Sequence, residues 1–127
     1  MTLAWYFEDE RTAASIAVLN RVAEAGAIVP ALWRLEVLSG LQVAVRRGRI
    51  DSAYRDASLA DLRSLVIAID PGTNHQAWSA TLRLCDRFGL TPYDAAYLEL
   101  AQRRRLPLAT LDNELIRASE SAGVTVL

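Results

Sequence analysis

The sequence contains no lysine, one cysteine and one histidine among its 127 residues. The single cysteine, Cys85, cannot form an intramolecular disulfide, and nothing in the sequence suggests a zinc site built from cysteine. The single histidine, His75, is interpreted as a helix-surface or core-edge residue. This composition is typical of a protein of a reducing cytoplasm, and it leaves the carboxylates as the residues to examine for chemistry.

Long apolar runs are missing as well. No run approaches the roughly 18 residues that span a bilayer, and the first residues do not form a basic region followed by an apolar core. We therefore expect a soluble, cytoplasmic protein with no secretory signal and no membrane partner. No repeat or linker divides the chain, and 52% hydrophobic residues suffice for one core. The sequence therefore predicts a single domain over residues 1–127.

The charge balance gives no overall indication of nucleic-acid binding, since the formal net charge is −1. All the basic residues are nevertheless arginine, whose planar fork suits phosphate oxygens. They include two tight groups, at 46–49 and 103–105. Contact with phosphate and simple solvation of helix ends are both open interpretations of these groups.

The apolar pattern predicts helices separated by short strands. The predicted helices span about 10–25, 33–45, 51–65, 74–87, 92–105 and 113–121, and the predicted strands span 66–69, 106–111 and 124–127, with a short apolar bridge at 27–30. Strands that alternate with helices favour a parallel sheet covered on its faces. The stretch 1–7 is compatible with a helix and has no strand before it, which is unusual for a parallel α/β domain.

Three carboxylates, Glu36, Asp94 and Asp112, occupy positions that solubility alone does not explain. Glu36 lies near the start of an apolar helix, about 60° from Trp33 around the axis, and so borders the buried stripe. The alternative is a core-edge charge that reaches water. Asp94 follows Thr91 by three residues, which approximates a capping box. Asp112 is an N-cap candidate, but it also follows a predicted strand, where parallel sheets bind ligands.

Taken together, the three carboxylates predict a site for a hard divalent cation. Mg²⁺ prefers carboxylate and water oxygens, with phosphate completing its shell. Clustered carboxylates raise at least one pKa among them unless a cation neutralises their charge. One or two such ions can activate water and stabilise charge on a reacting phosphate. Such a site needs no catalytic lysine, no Ser–His pair and no second histidine.

Three segments resemble the acidic motifs of the PIN-domain ribonucleases, and most closely those of the VapC toxins of bacterial toxin–antitoxin pairs. The first motif is carried by 29–37, VPALWRLEV, and by 46–50, RRGRI. The second is carried by 89–101, GLTPYDAAYLELA, and the third by 106–112, LPLATLD, with Leu115 and Gly123-Val124 after it. Each motif alone is modest, but the three follow in order and at matching spacing along practically the whole chain.

The resemblance implies a PIN-like three-layer α/β/α fold with a parallel sheet. It also implies a Mg²⁺-dependent endoribonuclease toxin, with Mn²⁺ as a substitute ion, that hydrolyses RNA until a VapB-type antitoxin protein occupies its site. Carried over by position, Glu36, Asp94 and Asp112 are the catalytic, metal-binding carboxylates. Thr110 matches a position that supports the site by hydrogen bonding.

The sequence departs from the family pattern at two places. Ser39 stands where the family often has Asn, three residues after the first-motif Glu. The family also opens with a strand that ends in a metal-binding Asp, whereas residues 1–5 resemble the segment just after that strand. We therefore expect the first central strand and one of four carboxylates to be absent from this chain. Either the start codon is misassigned, or the chain is a truncated or catalytically inactive PIN domain that acts only as a binding partner of its antitoxin.

A homodimer is implied by the resemblance as well. Trp33, Trp78 and the apolar first helix are candidate surface for it, although a periodic stripe does not distinguish dimer contacts from core. No interface residue is therefore assigned, and no motif identifies the RNA target. A DNA flap nuclease is a further alternative, but the insertions that such family members carry are not visible in this sequence.

Overall fold

The computed structural model describes all residues, 1–127, and it is mostly helical. The α-helices are α1 (Ala13–Ala25), α2 (Trp33–Arg46), α3 (Ser52–Ser64), α4 (Thr73–Gln76), α5 (Leu82–Phe88), α6 (Pro92–Arg104) and α7 (Asn113–Ser121), and the strands are β1 (Ala27–Val29) and β2 (Ile67–Ile69). Two 3₁₀ turns lie at Thr2–Trp5 and Glu8–Glu10, and a π-helical turn lies at Ala77–Thr81. The chain divides into two compact units: unit 1 is Met1–Ile28 with Leu32–Ala68, and unit 2 is Val29–Ala31 with Ile69–Leu127.

β1 and β2 pair in a two-stranded sheet. The Ala27 N–H donates to the Val66 carbonyl, and the Asp70 N–H donates to the Val29 carbonyl. The register therefore advances in the same direction along both strands, and the pairing is parallel. The predicted strand at 66–69 and the predicted α/β class with parallel pairing are confirmed.

The two strands predicted near the C-terminus are reduced to one parallel bridge between Leu108 and Val126. The Leu108 N–H donates to the Thr125 carbonyl at 2.8 Å, and the Leu127 N–H donates to the Leu108 carbonyl at 2.9 Å. Pro107 has no N–H with which to extend the ladder backwards. After Leu108, the chain turns at Thr110 to begin α7. The apolar run 106–111 is therefore longer than the segment of it that pairs with residues 125–127.

Unit 1 begins with a 3₁₀ turn, in agreement with the helix-compatible character of its first residues. Trp5 and Phe7 are buried, and the Trp5 indole N–H donates to the Ser15 carbonyl at 2.9 Å. α1 begins at Ala13 rather than near residue 10 as predicted, because Thr12 and Ser15 form a capping box. The predicted end of this helix at Gly26 is confirmed, since that residue has a φ of 76°.

α2 buries a stripe of residues at helical spacing, namely Trp33, Val37, Leu41 and Ala44. The Trp33 indole N–H donates to the Thr2 hydroxyl at 3.1 Å. The interpretation of Trp33 as candidate dimer surface is therefore wrong, because its ring is part of the core and its one polar atom is satisfied internally. The Asp51 N-cap of α3 is confirmed by its hydrogen bond from the Tyr54 N–H at 2.7 Å.

Unit 2 is built around an apolar cluster to which α6 contributes most. The buried members are Leu84, Leu90, Ala95, Leu98, Ala101, Leu108, Leu115 and Ala118. The helix predicted at 74–87 is confirmed as a helical run from Thr73 to Phe88, with a π-helical turn between α4 and α5 that the sequence did not predict. Across this turn Thr81 and Leu84 are buried while Trp78 is 94% exposed.

Asp70, which directly follows β2, is fully buried and ionically paired. Its two carboxylate oxygens accept hydrogen bonds from Arg103 Nη2 at 2.6 Å and from Arg104 Nη2 at 2.9 Å. The Gly72 N–H donates to it at 3.0 Å, and Arg103 Nε also donates to buried Glu99 at 2.7 Å. The hydrogen bond from Arg103, with those from Arg104 and Gly72, outweighs desolvation and lowers the pKa of Asp70 to about 2.

Three arginines of the two basic groups are held by carboxylates of the chain itself. Arg103 and Arg104 bind Asp70. Arg49 binds Asp9 at 2.7 Å and lies over the Phe7 ring at 4.3 Å from its centroid. These guanidinium groups therefore have a structural function within the fold.

We predict that Asp70→Asn destabilises the protein by about 2 kcal/mol at pH 7, because a shift in pKa from 3.8 to about 2 has that value. A depressed carboxyl pKa stabilises the fold above its unfolded value, and the contribution is lost as pH falls from 3.8 through about 2. The free energy of unfolding of the wild type should therefore decline over this range, and the decline should be shallower in Asp70→Asn.

Urea unfolding followed by circular dichroism at pH 7 and at stepwise lower pH measures this effect. Asp56→Asn is the matched control, since Asp56 pairs with Arg55 but has a side chain 67% exposed. Its loss should change stability by at most about 0.5 kcal/mol. Equal effects of the two variants at pH 7 would contradict the assignment to Asp70.

Candidate active site

Asp94 is placed by a firmly defined helix start in unit 2. Gly89 ends α5 with a φ of 66°, and Thr91 then caps α6 by accepting the Asp94 N–H at 3.2 Å. Pro92 occupies the first helical position, where its missing N–H costs little. The cap predicted at Thr91 is confirmed, and it holds a half-buried Asp94 in the first turn of α6.

Asp112 is the N-cap of α7, as predicted. Its Oδ1 accepts the Leu115 N–H at 2.8 Å, and its own N–H donates to the Thr110 hydroxyl at 3.1 Å. Thr110 therefore holds the backbone of Asp112, which is consistent with its predicted supporting position. The Asp112 side chain is exposed, and the cap uses only its Oδ1.

The carboxylates of Asp94 and Asp112 interact electrostatically. Burial is the largest cause that raises the pKa of Asp94, and the charge of Asp112 raises it further. Glu114 adds to the same effect, while a hydrogen bond with Thr91 opposes it. Unit 2 thus brings two predicted site residues together at the N-termini of two helices, where the helix dipole is positive.

Glu114 is a third carboxylate at this place that the sequence did not predict. Its position in the first turn of α7, two residues after Asp112, could have been a signal. Buried Asp70 was missed as well, although it follows a strand just as Asp112 was expected to. The role of each of these two residues is decided by what its side chain contacts, and a single sequence does not contain that information.

Glu36 lies in unit 1, in the first turn of α2. It is exposed, beside the buried stripe that it was predicted to border. Its charge and that of Glu10 raise the pKa of the Met1 ammonium, although burial of that group has the larger effect and lowers it. The role of Glu36 in a metal site stays a prediction.

The donor set suits a hard cation. No group of three or more His, Cys, Asp or Glu side chains in the structure is arranged to hold a metal ion. Asp94 and Asp112 instead form a pair whose mutual repulsion a cation would relieve. Mg²⁺ commonly uses one or two carboxylates and completes its octahedral shell with water and substrate phosphate. The pair therefore fits Mg²⁺ better than it fits an ion that needs a protein cage.

Apolar side chains are exposed next to both carboxylates. Tyr93, which precedes Asp94, is 63% exposed, and Leu111, which precedes Asp112, is 43% exposed. Across the whole chain, no helix is both long and apolar enough to cross a membrane.

We predict that Asp94→Asn raises the melting temperature at pH 7 in the absence of divalent cations. A raised carboxyl pKa means that the folded protein holds this proton more tightly than the unfolded chain, so the ionised group opposes folding above that pKa. Differential scanning calorimetry in EDTA measures the change. Asp86→Asn, an exposed acid on α5, is the control and should leave the melting temperature unchanged, whereas a lower value for Asp94→Asn contradicts the electrostatic description.

Comparison with known proteins agrees with the three motifs. Residues 2–121 match the PIN domain family. The chain is 39% identical over 115 residues to Ribonuclease VapC3 of Mycobacterium tuberculosis, in strain H37Rv and in strain CDC 1551, and the match covers 84% of this chain and 74% of the relative. The predicted family and the PIN-like fold class are thereby confirmed. The chain belongs to the PIN-domain family and, within it, to the VapC group.

Proposed function

We propose that this chain is a metal-dependent endoribonuclease toxin that hydrolyses RNA phosphodiesters. The observation that carries the proposal is the pair formed by Asp94 and Asp112. Burial raises the pKa of Asp94, and the charge of Asp112 raises it further. The pair occurs in a chain similar to a protein named Ribonuclease VapC3. A carboxylate pair that repels itself is suited to a cation, and a cation at such a pair is suited to phosphate.

Asp94 and Asp112 would hold Mg²⁺, with Mn²⁺ as a substitute. When bound, the ion lowers the pKa of a water molecule and offsets charge on the reacting phosphate. Asp112 would hold the ion through the carboxylate whose Oδ1 also caps α7. For Asp94, the half-buried position limits competing contact with bulk water. Glu114 adds negative potential, which strengthens cation binding.

The protein's own contribution to the reaction is orientation. Thr91 and Pro92 fix the first turn of α6, and Thr110 fixes the backbone of Asp112. The two carboxylates are thus held by backbone hydrogen bonds at helix starts rather than on free loops. Since these carboxylates repel the RNA backbone, we infer that phosphate binds here only when their charge is neutralised.

The partners we propose come from the resemblance to the VapC toxins. A VapB-type antitoxin protein would bind the chain and block its site, and the chain would form a homodimer. Size-exclusion chromatography with light scattering measures directly whether the chain forms a homodimer. Trp33 is not assigned to such an interface, because it is buried in unit 1.

We predict that the chain cleaves single-stranded RNA in Mg²⁺ and that Asp94→Asn and Asp112→Asn each reduce the rate by roughly 1000-fold or more. The reason is that loss of a cation ligand removes several kcal/mol of transition-state stabilisation. Glu114→Gln, which removes charge without removing a proposed ligand, should have a smaller effect. Glu36→Gln tests the role that the resemblance assigns to Glu36.

Gel electrophoresis of a labelled RNA, with and without EDTA, measures these rates, and calorimetric titration with Mn²⁺ measures ion binding independently. Asp86→Asn serves as the control and should cleave like the wild type. Cleavage that persists in EDTA, or in folded Asp94→Asn, would contradict the site. A wild-type chain that binds its antitoxin but neither binds Mn²⁺ nor cleaves would instead support the inactive alternative.

A further inference from the structure

Tyr93 is the exposed aromatic side chain nearest in sequence to the candidate site. It occupies the second position of α6, between Pro92 and Asp94, and 63% of it is exposed. No hydrogen bond, ring contact or ion pair holds its ring. Single exposed apolar residues are common and do not alone indicate a ligand. The position of this ring, directly before Asp94 in the first turn of α6, is what distinguishes it.

Leu111 repeats the arrangement at the second carboxylate. It is 43% exposed and directly precedes Asp112. Each member of the interacting carboxylate pair therefore follows an exposed apolar side chain. A cation would use the carboxylates and a phosphate would use that cation, but neither would use the apolar surface beside them. A substrate that matches both kinds of surface has an anionic group and a flat apolar group, and a nucleotide has these two parts.

The charges around the pair favour a contact that does not depend on charge. Asp94, Asp112 and Glu114 all repel an RNA backbone. The two arginines at the far end of α6, Arg103 and Arg104, are paired with Asp70. Stacking of a base on an aromatic ring does not depend on the sign of the charge nearby, and it is tolerant of base identity.

We propose that the Tyr93 ring stacks on a nucleobase of the RNA, next to the phosphate at Asp94 and Asp112. This inference rests on the proposed function and names a substrate-positioning residue for the same site. Neighbouring residues on a helix point about 100° apart, so the ring lies beside the carboxylate and does not cover it. Unpaired bases of single-stranded RNA are available for such stacking, whereas paired bases are not.

RNA binding measures the contact apart from cleavage. The protein is Asp94→Asn, in which cleavage is removed, and the probes are a short fluorescent oligouridine and an abasic strand of the same length. Adding Tyr93→Ala should weaken binding of the oligouridine by roughly fivefold to 150-fold, the range for loss of one stacked base. Binding of the abasic strand should not change, and Tyr93→Phe should bind like the parent because the ring and not the hydroxyl makes the contact.

Trp78→Ala is the matched control, since Trp78 is an exposed aromatic residue of the same unit that does not adjoin a site carboxylate. It should leave binding of both strands unchanged. Tyr93→Leu, checked by its melting temperature, separates loss of the ring from loss of folding. In the wild type, Tyr93→Ala should raise KM for cleavage more than it lowers kcat.

Several results overturn the inference. They are an equal loss of affinity for the oligouridine and the abasic strand in Tyr93→Ala, a loss in Tyr93→Phe as large as in Tyr93→Ala, and the absence of RNA binding by folded Asp94→Asn. Failure of the proposed function is a different result, namely a wild type that does not cleave RNA in Mg²⁺. A non-cleaving wild type that still shows the difference between the two strands would retain the stacking contact and reject the nuclease.

Discussion

The buried ion pair between Asp70 and Arg103 is the interaction on which unit 2 depends. Asp70 is fully enclosed and cannot be left ionised without its partners. Arg103 also binds Glu99, a second buried acid, which lies four residues earlier on α6. The pair therefore fastens the last turn of α6 to the segment after β2. Because a helix is stiff along its axis, fixing one end also limits where the first turn, with Asp94, can lie.

The two ends of α6 are opposite in electrostatic character. At the C-terminal end, two buried acids are satisfied by arginines, and the pKa of Asp70 falls to about 2. At the N-terminal end, burial and neighbouring acids raise the pKa of Asp94. Natural proteins commonly tolerate unfavourable electrostatics at functional sites and offset them elsewhere in the fold. The distribution along this helix agrees with that pattern and supports a site at its first turn.

Much of this could be predicted from the sequence, because local rules govern helix ends. The caps at Asp51, Thr91 and Asp112 depend on side chains within three residues, and each prediction is confirmed. The shortening of the strands near Leu108 and the π-helical turn within 74–87 could not be predicted, since strand pairing and helix register depend on residues distant in sequence. The role of Arg103 was equally out of reach, because its partner Asp70 lies 33 positions away.

The π-helical turn has a spectroscopic consequence. The chain has three tryptophans. Two of them, Trp5 and Trp33, are buried in unit 1, while Trp78 on the π-helical turn of unit 2 is 94% exposed. Buried indoles emit at shorter wavelength than exposed ones and are shielded from quenchers in solution. An exposed indole is accessible to such quenchers. Iodide should therefore quench the fluorescence of Trp78 selectively. The remaining fluorescence, from Trp5 and Trp33, then follows the unfolding of unit 1 without any added label.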